Sequence, residues 1–293
     1  MIKRLLLNVI LISTFSSMIW AQPAYMNKKS ARKPNEGDKF LQTQWWLGFK
    51  AGANTTEATP DALFSGFSPT NYNSSLLEKE YNSFRDFSGQ AGLEITFYHK
   101  GFSFSFQPNY QRQTFGYSNN YEWQSNEDAA NTISLTYDHN HKLDFIELPL
   151  IIKYDILKTT KFRPFVQAGV FYGRMVNATK EIEISGQDLA SGSAGPFDNQ
   201  NIIIGVNDLF IESNTGWLAG LGVNYDFWNV RLILDITYRG GLNNITNTQN
   251  RFSENLLSGL GDAMDDIALD NIMVNVGALF PLRFISSGLN AVR

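Results

Sequence analysis

The sequence predicts an all-β protein, an eight-stranded antiparallel up-and-down transmembrane β-barrel with long extracellular loops and short periplasmic turns. Three observations predict this fold: eight segments in which apolar and polar residues alternate, connections that alternate in length, and an N-terminal export signal. Each segment has about ten residues or more, which is the length that a tilted membrane-spanning strand needs. An even number of strands places both chain ends on the periplasmic side.

The first four segments each show a continuous apolar face. Trp45 and Leu47 share one side of the first segment, and Phe102 and Phe104 share one side of the third. Alternation with period two predicts a strand that has one apolar and one polar side. These segments are residues 44–54, 87–97, 102–111 and 146–154.

The last four segments repeat the pattern and add glycine to the polar side. Leu232 and Leu234 share the apolar side of the seventh segment, whereas Gly220 and Gly222 lie on the polar side of the sixth. Small inward residues let eight strands close into a narrow tube that side chains fill. Closure is needed because hydrocarbon cannot satisfy an unpaired strand edge. These segments are residues 165–173, 217–226, 230–239 and 271–278.

The connections alternate between long and short. A barrel with tight turns at one rim and long loops at the other predicts this rhythm, whereas a β-sandwich gives no reason for it. We expect the connection 178–212 to extend strands five and six above the membrane as a hairpin. The short connections are residues 98–101, 155–161 and 226–229, and the long ones are roughly residues 55–83, 117–141, 178–212 and 241–268.

The N-terminus has the layout of a cleaved secretory signal peptide. Lys3 and Arg4 precede an apolar stretch that ends before Ala21, and this stretch is shorter than the ~20 residues of a spanning helix. The predicted location is therefore the outer membrane of a Gram-negative cell. The predicted parts are a signal peptide at 1–21, a flexible basic periplasmic leader at 22–42, the barrel at 43–285 and a short tail at 286–293.

Composition excludes several functional classes. The net charge of −4 and the pI near 5.5 argue against a nucleic-acid partner, which would require a basic surface. The lack of cysteine excludes disulfides, thiolate metal sites and cysteine nucleophiles. The sequence contains no P-loop, G-x-S-x-G or H-E-x-x-H motif. We therefore predict no catalytic residue, no cofactor and no metal site.

Aromatic residues lie near the ends of the apolar faces. Such residues form girdles at the two membrane interfaces because an apolar ring carries a polar tip. The alternative interpretation is an ordinary aromatic-rich core. The predicted girdle comprises Trp45, Tyr110, Tyr154, Tyr172, Trp217, Tyr225 and Tyr238.

Seven charged residues fall on the inward face of the strands by parity. A buried charge is costly unless it is paired, so we predict a salt-bridge network that fills the lumen, with Glu147 as its anchor. A gate or proton path is the alternative, although eight strands leave no open channel. Pro149 removes one ladder donor and predicts a bulge or kink. The predicted network comprises Lys50, Glu94, Glu147, Lys153, Arg231, Asp235 and Arg239.

His139 and His141 share one face of an extended segment, and Asp138 precedes them directly. We expect solvated loop histidines. A zinc pair is the first alternative, but no third ligand is evident. A hydrolase or acyltransferase site at the outer rim, using Asp138 and His139, is the second alternative.

The four long connections are acidic, whereas the leader is basic. We expect hydrated loops, and the alternatives are cation-mediated contact with lipopolysaccharide or the binding of a basic partner. The predicted partners are outer-membrane lipid, lipopolysaccharide and an envelope protein complex. Four carboxylates could also supply oxygen ligands to Ca²⁺, although their spacing does not match an EF-hand loop. They are Asp262, Asp265, Asp266 and Asp270.

The stretch from Leu143 to Tyr154, LDFIELPLIIKY, resembles a strand of PorT-like outer-membrane β-barrel proteins of the Bacteroidetes. Residues 162–170, 46–54 and 220–225 resemble three further strands of that family, although Val170 stands where a proline is usual. The resemblance implies an eight-stranded outer-membrane barrel. Most members have no assigned function, some serve type IX secretion and gliding, and no catalytic residue carries over.

The sequence thus favours a non-enzymatic barrel with a plugged lumen that acts as a structural or interaction protein through its long acidic loops. Accessory membership of an envelope or type IX secretion machine is the finer version of this prediction. A small-solute porin or channel is the alternative, and an outer-rim barrel hydrolase is a weaker one.

Overall fold

The computed structural model describes residues 41, 43–64, 79–128, 130–157, 161–190, 195–196, 200–251 and 263–282. The predicted signal peptide, the predicted leader except Leu41, and the predicted tail lie outside this range. No helix within it is long and apolar enough to span a membrane. The strands are β1 (Gln44–Ala62), β2 (Glu80–Tyr81), β3 (Phe87–His99), β4 (Phe102–Phe106), β5 (Asn109–Gln124), β6 (Thr132–Asp155), β7 (Phe162–Asp188), β8 (Gly195–Pro196), β9 (Gln200–Gly205), β10 (Ser213–Phe227), β11 (Val230–Gly241) and β12 (Asp266–Pro281).

Eight antiparallel barrel strands form a closed ring, which confirms the predicted fold class. The order around the ring is β1, β3, β4 with β5, β6, β7, β10, β11 and β12, and β12 pairs back onto β1. β4 and β5 together make one barrel strand, interrupted at Gln107 and Pro108. Residues 263–282 therefore form the last wall of the barrel and meet the first.

The turns at one rim are tight, as predicted. Lys100 and Gly101 connect β3 to β4 with φ angles of 49° and 95°. Trp228 begins the two-residue turn between β10 and β11 with a φ of 52°. Positive φ in two-residue hairpins gives a turn whose twist matches the twist of the strands. The strands at this rim are therefore joined by short turns, and they extend beyond the barrel only at the opposite rim.

Strands extend into all four predicted long loops, so the predicted loop boundaries are wrong. β1, for example, continues to Ala62 within the predicted loop 55–83. β5 continues to Gln124, and β6 begins at Thr132. Most of the predicted loop 117–141 is therefore strand. β7 runs to Asp188, and β9 pairs with its upper part directly above β10. The expected extension of strands five and six is therefore present, with an inward excursion at residues 206–212 that separates β9 from β10. The outward face above the membrane need not be apolar, and the sequence signal of a strand fades there.

Pro149 causes no bulge against β7, contrary to the prediction. The register from Glu147 to Ile151 is continuous with β7, and the shift lies instead at Asp144 and Phe145. On its other side Pro149 faces the break between β4 and β5, where its carbonyl accepts the N–H of Gln107 at 3.1 Å. The backbone N–H that Pro149 lacks would thus have faced the interruption between β4 and β5.

Gly222 explains the value of small residues on the inward face. A Cβ at this position would lie 2.5 Å from the ring of Phe165 and 2.7 Å from Cβ of Asp235. Both neighbours are fully buried inside the barrel. Around Gly222 the lumen is therefore packed so closely that one additional methyl group would require rearrangement.

Candidate functional site: the barrel lumen and the raised sheet

Four charged side chains form a central layer across the lumen. Nζ of Lys50 lies 2.7 Å from Asp235 and 4.0 Å from Glu94, and Nζ of Lys153 lies 2.6 Å from Glu94. Thr96 donates its hydroxyl to the same Glu94 carboxylate at 2.8 Å. Two cations and two anions leave this layer without net charge, which is the arrangement that a buried site requires.

An ion pair between Arg239 and Glu147 lies above the central layer. The two side chains are 2.7 Å apart, and both are almost completely buried. The guanidinium of Arg239 stacks 3.8 Å from the ring centre of Phe171 and donates to Gln111. Glu147 thus has its own partner and has no salt bridge to the central layer in the described residues.

A third group of charges lies at the periplasmic end. Arg231 donates to Asp226 at 2.8 Å, and Arg163 contacts both Asp226 and, at 3.5 Å, Asp155. Arg231 also stacks 4.2 Å above the ring of Trp46. This group contains two cations and two anions, and it is again neutral.

All seven sequence-predicted lumen charges lie inside the barrel, in three separate groups. Asp155, Arg163 and Asp226 complete the periplasmic group and are absent from the sequence prediction. Asp155 follows Lys153 by two positions and therefore lies on the same inward face of the strand. The alternation of the sequence is thus sufficient to predict its position. These three residues lie at strand ends, where the sequence pattern marks turns.

Apolar side chains separate the periplasmic group from the central layer. Trp46, Tyr98, Phe165, Ile233 and Leu279 form one buried cluster at that level. The ring of Phe165 also receives Nζ of Lys153 at 5.4 Å. The charges at this level of the lumen are therefore packed between rings and aliphatic chains.

A small cavity of about 40 Å³, lined by both polar and apolar side chains, lies between the central layer and the Arg239–Glu147 pair. Gln167 must turn its amide nitrogen to Asp235, and Gln111 must turn its amide oxygen to Arg239, because those partners have only one hydrogen-bonding role. A buried water needs roughly 10–15 Å³, so the cavity has room for about three. Its unpartnered polar atoms are Gln90 Oε1, Asn109 Oδ1, Gln111 Nε2, Glu147 Oε2, Gln167 Oε1 and Arg239 Nε.

An apolar plug fills the extracellular end of the lumen. The inward excursion at residues 206–212 supplies Val206, Leu209 and Phe210, which pack against inward side chains of the barrel wall. Phe210 forms a β-bridge with Thr246 in the last connection. The cluster comprises Ala58, Phe115, Leu143, Phe145, Met175, Ala178, Val206, Leu209, Phe210, Ile245, Met264, Ile267 and Leu269.

At the edge of this plug, Asp265 in the last extracellular connection forms hydrogen bonds with residues near both ends of the first one. Its carboxylate accepts the hydroxyl of Tyr81 at 2.7 Å, the N–H of Phe64 at 2.7 Å and Nζ of Lys79 at 3.2 Å. Asp266 accepts Arg251 and Asn244. Of the four suggested Ca²⁺ ligands, Asp262 lies outside the described residues, and Asp265 and Asp266 are occupied by these donors. The described residues contain no group of three or more histidine, aspartate or glutamate side chains positioned for a metal.

The two histidines are buried, so the expectation of solvated loop histidines is wrong. His139 and His141 are 4% and 0% exposed and lie on the inward face of β6. The ring of His141 stacks on Phe115 at 4.8 Å, and that of His139 stacks on Tyr117 at 4.7 Å. Asp138 is exposed on the opposite face of β6. Consecutive residues of a strand point to opposite sides, so Asp138 and His139 cannot act together as a hydrolase site.

The seven predicted girdle residues lie on the outward face at the two ends of the apolar band. Trp217 and Tyr238 contact each other with ring centres 5.5 Å apart at the extracellular end. Tyr154 contacts Phe102 at 4.8 Å at the periplasmic end. Tyr110 and Tyr172 lie with the extracellular group, and Trp45 and Tyr225 lie with the periplasmic group.

Beyond the extracellular girdle, β5, β6 and β7 continue as a raised sheet, which β2, β8 and β9 widen. It comprises residues 114–124, 132–143 and 177–188 together with these three short strands. Its outward face carries Asp138, Glu181 and Glu183. Hydrogen bonds from Asn201 and from Lys142 lower the pKa of Glu181.

These features define a class: a closed antiparallel barrel with an apolar exterior and a polar, filled lumen is a transmembrane outer-membrane β-barrel. Residues 21–247 match the family described as outer membrane protein beta-barrel domain, and the chain belongs to this family.

Solved outer-membrane barrels resemble the chain. Neisserial surface protein A is 11% identical, with 80% of this chain and 95% of that chain covered and a TM-score of 0.34. OprG from Pseudomonas aeruginosa is 12% identical, with 81% and 96% covered and a TM-score of 0.36. Ail from Yersinia pestis, crystallised with the heparin analogue sucrose octasulfate, is 10% identical, with 81% and 99% covered and a TM-score of 0.27. A search among curated proteins gave no match.

Proposed function

We propose that this outer-membrane barrel is a non-conducting, non-enzymatic interaction protein that binds another envelope protein through its raised sheet and acidic loops. The observation that carries the proposal is the filled lumen: three neutral charged groups and the apolar plug occupy its length. A barrel filled in this way has its chemistry available only outside the membrane. The proposal includes export through the signal peptide at residues 1–21 and contact with lipid and lipopolysaccharide.

The resemblance to PorT-like proteins supports a finer version of this proposal. The strand from Leu143 to Tyr154 carries the family-like Glu-x-Pro-x-x-x-Lys-Tyr pattern, and its Glu147 and Lys153 both bind partners in the lumen. We infer from this resemblance an accessory of an envelope machine, with type IX secretion as the first system to examine. The raised sheet is the surface that such an accessory would present.

The decisive experiment is affinity purification from native outer membranes in mild detergent, with a tag near the C-terminus. We expect a second envelope protein to co-purify in a stoichiometric amount, and cross-links to map to the raised sheet. A barrel that purifies alone, without cross-links from intact cells, would overturn the interaction function.

Single-channel recording in a planar bilayer tests the alternative of a solute channel. We expect no steady conductance, because the central layer and the plug block the lumen at two levels. A stable ohmic conductance in the purified wild-type barrel would replace the proposed function with that of a channel.

A further inference from the structure

β9 is an edge strand in the described part of the chain. It pairs only with β7, through the register Gln200↔Ile184 to Gly205↔Thr179. Its sequence, QNIIIG, contains no charge and no proline. Natural edge strands normally carry such residues to prevent pairing with another chain, so the composition of β9 differs from that of a protected edge.

The hydrogen-bonding phase of β9 shows which backbone groups face the open side. Val206 donates its N–H to the carbonyl of Ala178 at 2.9 Å. In an antiparallel ladder, hydrogen-bonded and non-hydrogen-bonded pairs alternate, so Ile202 and Ile204 face β7. The N–H and C=O of Asn201, Ile203 and Gly205 therefore point away from β7.

The opposite side of β7 gives the same phase independently. Leu189 donates its N–H to the carbonyl of Thr132 on the β6 side at 2.8 Å. Alternation from that bond means that the backbone groups of Glu181 and Glu183 form hydrogen bonds with β6. The backbone groups of Ile182 therefore form hydrogen bonds with β9. The outward backbone groups of Asn201, Ile203 and Gly205 make no hydrogen bond within the described residues.

The side chains of β9 expose apolar surface along this edge. Ile203 is 66% exposed, and Ile202 beside it is 38% exposed. An extended segment that paired with β9 would cover apolar surface and satisfy a row of free backbone groups at the same time.

The charges beside β9 indicate the composition of the segment. On the outward face, Glu183 stands directly opposite Asp138 in the β6–β7 register, and like charges in that position repel. Neither carboxylate forms an ion pair with a described residue. A second copy of this chain would bring the same acids, whereas long lysine or arginine side chains at alternate positions would extend across β9 and offset the negative charge of this face.

We propose that β9 is a strand-addition site for an extended segment of another protein that alternates apolar and basic residues. The inference rests on the proposed interaction function and names its site and the chemistry of its partner. Pairing through Asn201, Ile203 and Gly205 continues the raised sheet by one strand. Basic side chains on the outward face of the added strand lie next to these three residues and extend across β9 towards Glu183.

The first test uses the full-length barrel in nanodiscs and a fluorescent eight-residue peptide of alternating valine and lysine. We expect binding to wild type, and a loss of about tenfold in Ile203→Pro, because proline removes the outward N–H without removing a bond to β7. Ile203→Thr keeps that N–H and should stay within about threefold of wild type. Equal binding by wild type and Ile203→Pro would overturn the site.

Two controls keep this test decisive. An alternating valine and glutamate peptide should not bind, and its binding would overturn the basic composition. The valine and lysine peptide with an N-methyl group at every residue has no backbone donor on either edge, so it should lose binding to wild type even if Ile203→Pro fails to fold. Retained binding of the N-methylated peptide would overturn strand addition.

Affinity purification separates failure of this inference from failure of the proposed function. A partner that is recovered with wild type and lost with Ile203→Pro supports the inference. A partner recovered equally with both proteins overturns the inference and leaves the interaction function intact. Dimers of this chain that disappear in Ile203→Pro would identify a second copy as the occupant and overturn the proposed partner.

Discussion

The membrane part and the raised part of β6 have opposite polarity, although one strand runs through both. Within the membrane, Leu148 and Leu150 point outward, and Glu147 points into the lumen. Above the membrane, Leu143 is buried on the inward face and Asp138 is exposed on the outward face. The inversion falls close to the register shift at Asp144 and Phe145. The charged side chains therefore point inward where lipid surrounds β6 and outward where water surrounds it. The backbone of β6 is a continuous strand through both parts.

The largest expected effect comes from breaking the central layer of the lumen. Glu94→Ala leaves the buried amines of Lys153 and Lys50 without that carboxylate, so we expect a loss of about 3–5 kcal/mol in the free energy of unfolding. Urea titration of the barrel in lipid, followed by tryptophan fluorescence, measures it. Arg174→Ala is the control, because it breaks an exposed pair with Glu212 and should cost at most about 1 kcal/mol. Equal losses would contradict the buried layer.

The plug above the membrane should respond to lost volume and not to lost charge. Phe115→Ala removes a ring packed against His141 and Phe210, and a cavity of this kind costs about 3 kcal/mol. Ile203→Ala removes a similarly apolar side chain from an exposed position and should cost less than about 0.5 kcal/mol. The same urea titration compares the two variants. A small effect of Phe115→Ala would mean that the plug does not stabilise the barrel.

Glu147→Ala should have a smaller effect than Glu94→Ala. Arg239 keeps its stacking on Phe171 and its hydrogen bond to Gln111, so we expect a loss of about 2 kcal/mol. Glu147→Gln, which keeps the shape, should fall between this variant and wild type. Unchanged stability in Glu147→Ala would show that the predicted anchor role is wrong.

The smallest expected effect concerns the exposed face of the raised sheet. Glu181→Gln breaks the 2.9 Å pair with Lys142 and should cost about 0.5 kcal/mol at neutral pH. The pKa of Glu181 is lowered in the folded protein, so its contribution is complete above the unfolded pKa of about 4.3 and disappears as the pH falls through the folded pKa. Unfolding of both proteins from pH 7 to pH 3 should therefore converge. A difference that grows in acid would contradict this assignment.

The charges that parity selects lie on the lumen side of the described strands, because side chains that face the bilayer have to be apolar. Lys50, Glu94 and Asp235 are recognisable from this constraint alone. The groups into which the charges separate depend on the stagger of neighbouring strands, which no single segment reveals. His139 and His141 were misread for the same physical reason: above the membrane no solvent demands an apolar outward face, so a buried inward face is not visible in the sequence.

The pairing of β12 with β1 has a consequence for biogenesis. The seam Trp46↔Pro281 to Ala62↔Asp266 joins the first barrel strand to the last one, and it can form only after β12 has been synthesised. A chain that stops before Asp266 leaves the edges of β1 and β11 open, and lipid cannot satisfy those backbone groups. Closure of the barrel thus requires all eight barrel strands, and a product that stops before β12 lacks a stable membrane-inserted state.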